Sequence, residues 1–324
     1  MSLEPKPRSS WMRGRISVWV AVLSSAAVAC SLERDSSNEM GEVLAGVEVV
    51  RELVFIVRVE GKGEDVRLEI PLPLGGDNVK IFEEELRLRG FSFEERVEDG
   101  IRTAILEYPV LEGRRRFTYK AVIGLQSMEH EVISPEPKAI VNRDLRVYTL
   151  PTPRMQSRSP LVRERLIEHV EPGLEAGDED IVRMIFGLVA GRFERRTSDG
   201  TGNVLRALRE EQASDRGLDR LLITFMRAAG IPARPVAGFH LRTEGGRKFE
   251  RWTEIHVGEG WVPMSAPKGW YGVQPPDYLR LYHGERRFIE REGVERLTFK
   301  VLVSEPNEEE SGKQHLFKAE EEVQ

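Results

Sequence analysis

A covalent hydrolase or transferase needs a nucleophile, a base to take its proton and a group that orients the base. The sequence holds one cysteine, Cys30, and six histidines without an HExxH or similar metal-ligand spacing. A single cysteine forms no intrachain disulfide and builds no Cys-rich zinc or iron–sulfur site, so no metal or cofactor is expected. Ser214 and Asp215 open a segment in which Leu218, Leu221, Leu222 and Phe225 recur at helical spacing. A serine without a placed base is not activated. Ser214 therefore reads as a helix N-cap, with Asp215 in the first turn, where the helix dipole favours a negative charge. Further on, residues 250–263 read ERWTEIHVGEGWVP. Glu254 reads as a structural strand residue. His256 lies five residues after Arg251 and so faces the other side of a strand.

The elements that position these residues follow from periodicity. Between 45 and 133, four apolar runs, at 49–61, 66–74, 103–111 and 115–125, are separated by Gly61-Lys62-Gly63, Gly75-Gly76-Asp77 and Asp99-Gly100. Short alternating runs between turn signals predict an antiparallel β-sandwich. The five prolines of 134–160 predict a linker, taken as 134–159. Helical spacing follows in LVRERLIEHVEPGL and EDIVRMIFGLVAGRF, and a third helix spans about 215–229. Gly230 and Pro232 end it. Strands are expected at about 234–243, 249–257 and 260–264. Helices followed by strands make the second domain, 160–304, α+β.

The ends of the chain carry their own signals. Residues 1–15 hold four positive side chains against Glu4, and the apolar run ISVWVAVLSSAAVA fills 16–29. This is the pattern of a secretory signal over 1–29, too short for a comfortable transmembrane helix. Ala27-Val28-Ala29-Cys30 resembles the lipobox of bacterial lipoproteins, with Ala27 where leucine is usual. The resemblance implies lipidation of Cys30, a polar tether over 30–44 and an exported, envelope or periplasmic, membrane-tethered protein. The last twenty residues, 305–324, hold seven glutamates and two lysines and read as a disordered acidic tail. The full chain has 48 basic and 54 acidic residues, a formal net charge of −6. Loss of 1–29 would bring it to −9, three positive charges fewer. That balance argues against a nucleic-acid binder and against electrostatic attraction to anionic membranes.

Residues 226–238, MRAAGIPARPVAG, followed by the W-x-E and G-x-W-x-P pieces of 250–263, resemble the transglutaminase-like superfamily, relatives of papain-type cysteine proteases. The resemblance covers about 160–270 and implies a helix-plus-antiparallel-sheet domain with a Cys-His-Asp triad. Carried over by spacing, the nucleophile position is Asp215, twelve residues before Arg227. The histidine position falls on Glu250 or Arg251, and the orienting acid on Ser265, four residues after Trp261. No triad position keeps its residue, which implies a pseudoenzyme. Residues 275–293 and LTFKVLV (297–303) further resemble a bacterial family in which an inactive domain of this kind is fused to seven transmembrane helices. No hydrophobic helices follow residue 303 here.

The expected function is binding of a peptide or protein segment of the cell envelope in the former active-site groove, beside a strand, with Ser214, Asp215, Arg251, Trp252 and Glu254 as lining candidates. Two alternatives stand: an acid-based hydrolase or transferase using Asp215 and Glu254, or a scaffold that docks an envelope partner. Asp215 and Arg251 keep the charge signs of a thiolate–imidazolium pair, which predicts a salt bridge of about 4 Å or less between them.

Overall fold

The computed structural model describes residues 47–76, 78–132, 143–170, 179–197, 203–242, 248–258 and 260–306. The leader, the tether, Cys30 and all but the first two residues of the acidic tail lie outside them. Strands β1 (Val49–Leu72), β2 (Val79–Arg87), β3 (Ser92–Glu98), β4 (Ile101–Leu125) and the short β5 (Met128–Glu129) come first. Helices α1 (Pro160–His169) and α2 (Glu179–Arg192), strand β6 (Glu194–Arg196), helix α3 (Val204–Glu210), strand β7 (Gln212–Ser214) and helix α4 (Asp215–Ala228) follow. The rest is strand: β8 (Ala233–His240), β9 (Lys248–Val257), β10 (Gly260–Ser265), β11 (Trp270–Tyr271), β12 (Val273–Gln274), β13 (Tyr278–His283), β14 (Glu290–Glu292) and β15 (Arg296–Ser304).

The first half is one six-stranded antiparallel sheet built on the long β1–β4 pair, which runs from Val49↔Leu125 to Leu72↔Arg102. One end of this pair is flanked by β15 and β2, the other by β14 and β3. Both ends feed one core. The inward set on β1 is Leu53, Phe55, Val57 and Val59, and then Val66, Leu68, Ile70 and Leu72. The phase of the alternation thus changes from odd to even across 61–65, where Gly61 (φ 149°) and Asp65 (φ 50°) leave ordinary extended geometry. Gly61-Lys62-Gly63, expected to be a turn, is instead a bend inside a 24-residue strand. Gly63 is required there: a Cβ would stand 2.2 Å from the Gly293 carbonyl oxygen. Asp99-Gly100 does form the expected turn, with φ of 50° and 68°.

The second half is α+β. Its five-stranded antiparallel sheet has the order β11-β10-β9-β8-β13. Helix α4 packs on this sheet and is buried from Gly217 to Arg227, with Leu218, Leu221, Leu222 and Phe225 on its apolar stripe. Its C-terminus closes as a Schellman turn: Ile231 N–H donates to the Met226 carbonyl at 2.8 Å and Gly230 N–H to Arg227 at 3.1 Å. Gly230 takes the left-handed φ of 83°.

Three boundaries differ from expectation. Strands β14 and β15 lie within 160–304 but pair with β1. Leu297, Phe299, Val301 and Val303 of β15 alternate into the core of the first sheet. Ala237, Phe239, Leu279 and Tyr282 of the second sheet enter the core of the first, so the two halves share it. The described part of the expected linker is packed against the second half. Tyr148 lies edge-to-face on Trp261 at 4.9 Å, Met155 is buried, and Arg227 donates to the Leu150 carbonyl at 2.8 Å.

Candidate functional site

The start of α4 is positioned by β6 and β7, a small parallel pair with Arg195 opposite Ala213 and Arg196 opposite Ser214. Ser214 caps the helix as expected: its hydroxyl oxygen accepts from Gly217 N–H at 3.2 Å. The register also carries Arg195 to Asp215, and its Nη2 donates to Oδ2 at 2.5 Å. Asp215 is therefore neutralised by Arg195 and not by Arg251. The predicted Asp215–Arg251 bridge is absent.

Arg251 is drawn elsewhere by its strand. On β9 the odd-numbered residues face α4 and the first sheet, because Thr253 donates to the Asp219 carbonyl at 3.3 Å and Ile255 and Val257 enter the α4 core. Arg251 shares that face, with its Nη2 3.5 Å from both the Tyr282 hydroxyl and the Arg286 carbonyl, and its guanidinium 5.6 Å from the Phe249 ring centroid. Trp252 and Glu254 point to the opposite face and do not line a groove with Asp215. Trp252 is fully buried beside Val236, Tyr278 and Trp270. Glu254 is buried between Arg234, 2.7 Å away, and Arg280, 3.1 Å away. This buried ion triad accounts for Glu254 structurally. His256, also on that face, packs edge-to-face on Trp261.

Ser265, at the orienting-acid position, is fully buried and donates to Asp219 Oδ1 at 3.0 Å. Asp219 lies one helical turn beyond Asp215 and was not singled out from the sequence. Burial raises its pKa to about 7, against the opposing pull of Lys268 and the Ser265 hydrogen bond. Its sequence signal was a carboxylate between Leu218 and Arg220, inside a helix whose apolar stripe marks it as buried. Among the described residues no histidine hydrogen-bonds or ion-pairs with Asp215, Asp219 or Ser265.

The sequence also missed the arginines around Arg251. Arg220 is buried and binds Glu285 at 2.7 Å, and Arg154 reaches the same carboxylate at 3.9 Å. Burial, with the charges of Arg220 and Arg251, lowers the pKa of Arg216. Arg286 lies 5.2 Å from the Tyr282 ring centroid, and its Nε and Nη2 are buried without hydrogen-bond partners. Burial raises the Tyr282 pKa, while Arg251, Arg286 and Arg216 pull it down. Arg154, Arg216 and Arg220 thus share the one carboxylate of Glu285, with Arg251 close to Arg216, and Arg251 and Arg286 together at Tyr282. Among the described residues no His, Cys, Asp and Glu cluster has metal-holding geometry.

Comparison with known proteins agrees with this architecture. Residues 170–266 match the transglutaminase-like superfamily, so a transglutaminase-like domain contains α4 and the strands β8 to β10. A solved structure from Cytophaga hutchinsonii, described as a "putative cysteine protease", aligns with a TM-score of 0.55 and 14% identity, over 80% of this chain and 93% of that one. At that identity the likeness is one of fold. A protease-described structure from Parabacteroides distasonis aligns at a TM-score of 0.29 and 13% identity, over 65% of this chain and 42% of that one. No curated protein matches the chain. The narrower likeness to the family fused to seven transmembrane helices finds no support: among the described residues no helix is long and apolar enough to cross a membrane.

Proposed function

We propose that this is a non-catalytic transglutaminase-like protein of the cell envelope, lipid-tethered through Cys30, which binds an anionic peptide or protein segment at the former active site. The observation that carries the reading is the cluster Arg216, Arg251 and Arg286, with the buried, unpartnered Nε and Nη2 of Arg286. Clustered guanidiniums with few internal partners favour a ligand carboxylate, which takes charge-assisted hydrogen bonds from their accessible N–H groups. Recognition runs through side chains. Strand β9 lies between β10 and β8, so its backbone is already paired and cannot accept an added strand. The acid-based enzyme reading is disfavoured because Asp215 and Glu254 lie on opposite sides of β9, each neutralised by arginine.

The test is fluorescence polarisation of a labelled library of extended acidic peptides against the full chain. Binding that weakens about ten-fold or more in Arg251→Gln and Arg286→Gln is expected, because charge-assisted bonds are lost. Peptide binding indifferent to both substitutions overturns the site.

A further inference from the structure

A second cationic site, sharing no residue with the first, lies at the bend of the first sheet. There an open cavity of about 710 Å³ is lined by Arg58, Arg89, Arg114, Arg115, Arg116 and Arg296, with Glu60 as its only acid. Six positive charges against one negative give a local excess of five in a chain whose net charge is −6. The excess is not neutralised within the protein. Glu60 pairs at 3.2 Å with Arg114 and at 3.9 Å with Arg296, which are mostly exposed. Arg115 and Arg116 make only neutral contacts: Arg115 Nε donates to the Tyr108 hydroxyl at 2.9 Å, and Arg116 Nε donates to Thr118 Oγ1 at 3.1 Å. Arg58 and Arg89 make no ion pair among the described residues.

The register makes this arrangement costly. Arg58 on β1 stands directly opposite Arg116 on β4, and Arg58 is also opposite Thr298 on β15. Like charges in a direct cross-strand pair destabilise a sheet. Two of these contacts also hold their guanidiniums in place. The Tyr108 hydroxyl and ring orient Arg115, 5.2 Å from the ring centroid, and Thr118 orients Arg116. Oriented guanidinium forks match tetrahedral oxyanions with two parallel N–H donors each.

We infer that this cavity binds a ligand carrying two or more phosphate groups. The class follows from charge and shape. An excess of five fits a multiply charged oxyanion better than a single carboxylate, and the register sets Arg58, Arg114, Arg116 and Arg296 on one face of the sheet beside the open space. The inference does not depend on the reading of the former active site.

The probe is tripolyphosphate, titrated calorimetrically into the full chain at low and high salt. Binding that weakens with salt is expected, with at least about a ten-fold loss in Arg58→Gln and in Arg116→Gln. Arg206→Gln, on α3 and outside the cavity, should leave it unchanged. Thermal unfolding separates this site from a structural role. Removing one member of the Arg58–Arg116 pair should leave the midpoint unchanged or raise it, whereas a structural arginine would lower it. Equal binding by citrate overturns the phosphate assignment. Binding to phosphatidylglycerol vesicles without binding to tripolyphosphate overturns the pocket in favour of a membrane surface. Tripolyphosphate binding that survives both substitutions overturns the site.

Discussion

Asp219 and Glu254 are both buried carboxylates with different partners. Glu254 sits between two guanidiniums, whereas Asp219 has a hydroxyl partner and a pKa raised to about 7. The raised pKa means that the folded state holds the Asp219 proton more tightly than the unfolded chain, whose aspartate titrates near 3.9. Its contribution to stability is therefore complete below about pH 4 and lost as pH rises through about 7. Asp219→Asn, neutral at every pH and still able to accept from Ser265, should flatten that slope. Denaturant titrations at pH 5 and pH 8 should show the wild type losing on the order of a few kcal/mol relative to the variant. Glu254→Ala, by contrast, strands Arg234 and Arg280 and should cost about 3–5 kcal/mol. Asp215→Ala removes an exposed pair and should cost under about 1 kcal/mol. The helix that carries Asp215 and the strand that carries Arg251 were legible in the sequence through spacing to the GIPAR segment. Side-chain partners were not: β6–β7 register delivers Arg195 to Asp215, and strand alternation turns Arg251 to Tyr282.

At the scale of elements, what the sequence made legible was the helix and strands with strong, uninterrupted signals. Helix α4 and strands β8, β9 and β10 fall within a few residues of expectation, because an apolar stripe, a Gly-Pro stop and alternating runs act locally. Strand β1 was read as two short strands because Gly61 and Gly63 look like a turn while serving a bend, and β4 was likewise split at Gly113. Gly63→Ala should destabilise the protein by more than about 2 kcal/mol, measured by urea unfolding, since the Gly293 carbonyl occupies the space its Cβ needs. Helix α3 was missed although Asn203 caps it, accepting from Leu205 N–H at 3.0 Å. Seven residues are too few for periodicity to register. Ser214→Ala removes the analogous cap of α4 and should cost about 1 kcal/mol.

For the molecule as a whole, the two halves are tied by the return of β14 and β15 to β1 and by the aromatic cluster of Phe55, Phe239, Phe288 and Phe299. Long-range pairing of this kind leaves no local trace in sequence, which is why 134–159 read as a linker between independent domains. The central claim is that the transglutaminase-like site holds no nucleophile–base pair. The most direct measurement is release of amine from fluorogenic amide substrates by Asp215→Cys, with the wild type alongside. Among the described residues no histidine contacts the helix start to take a thiol's proton, and Arg251 is held away from it by Tyr282 and Arg286. Both chains should show no turnover above the uncatalysed rate. Turnover by either chain would contradict the account.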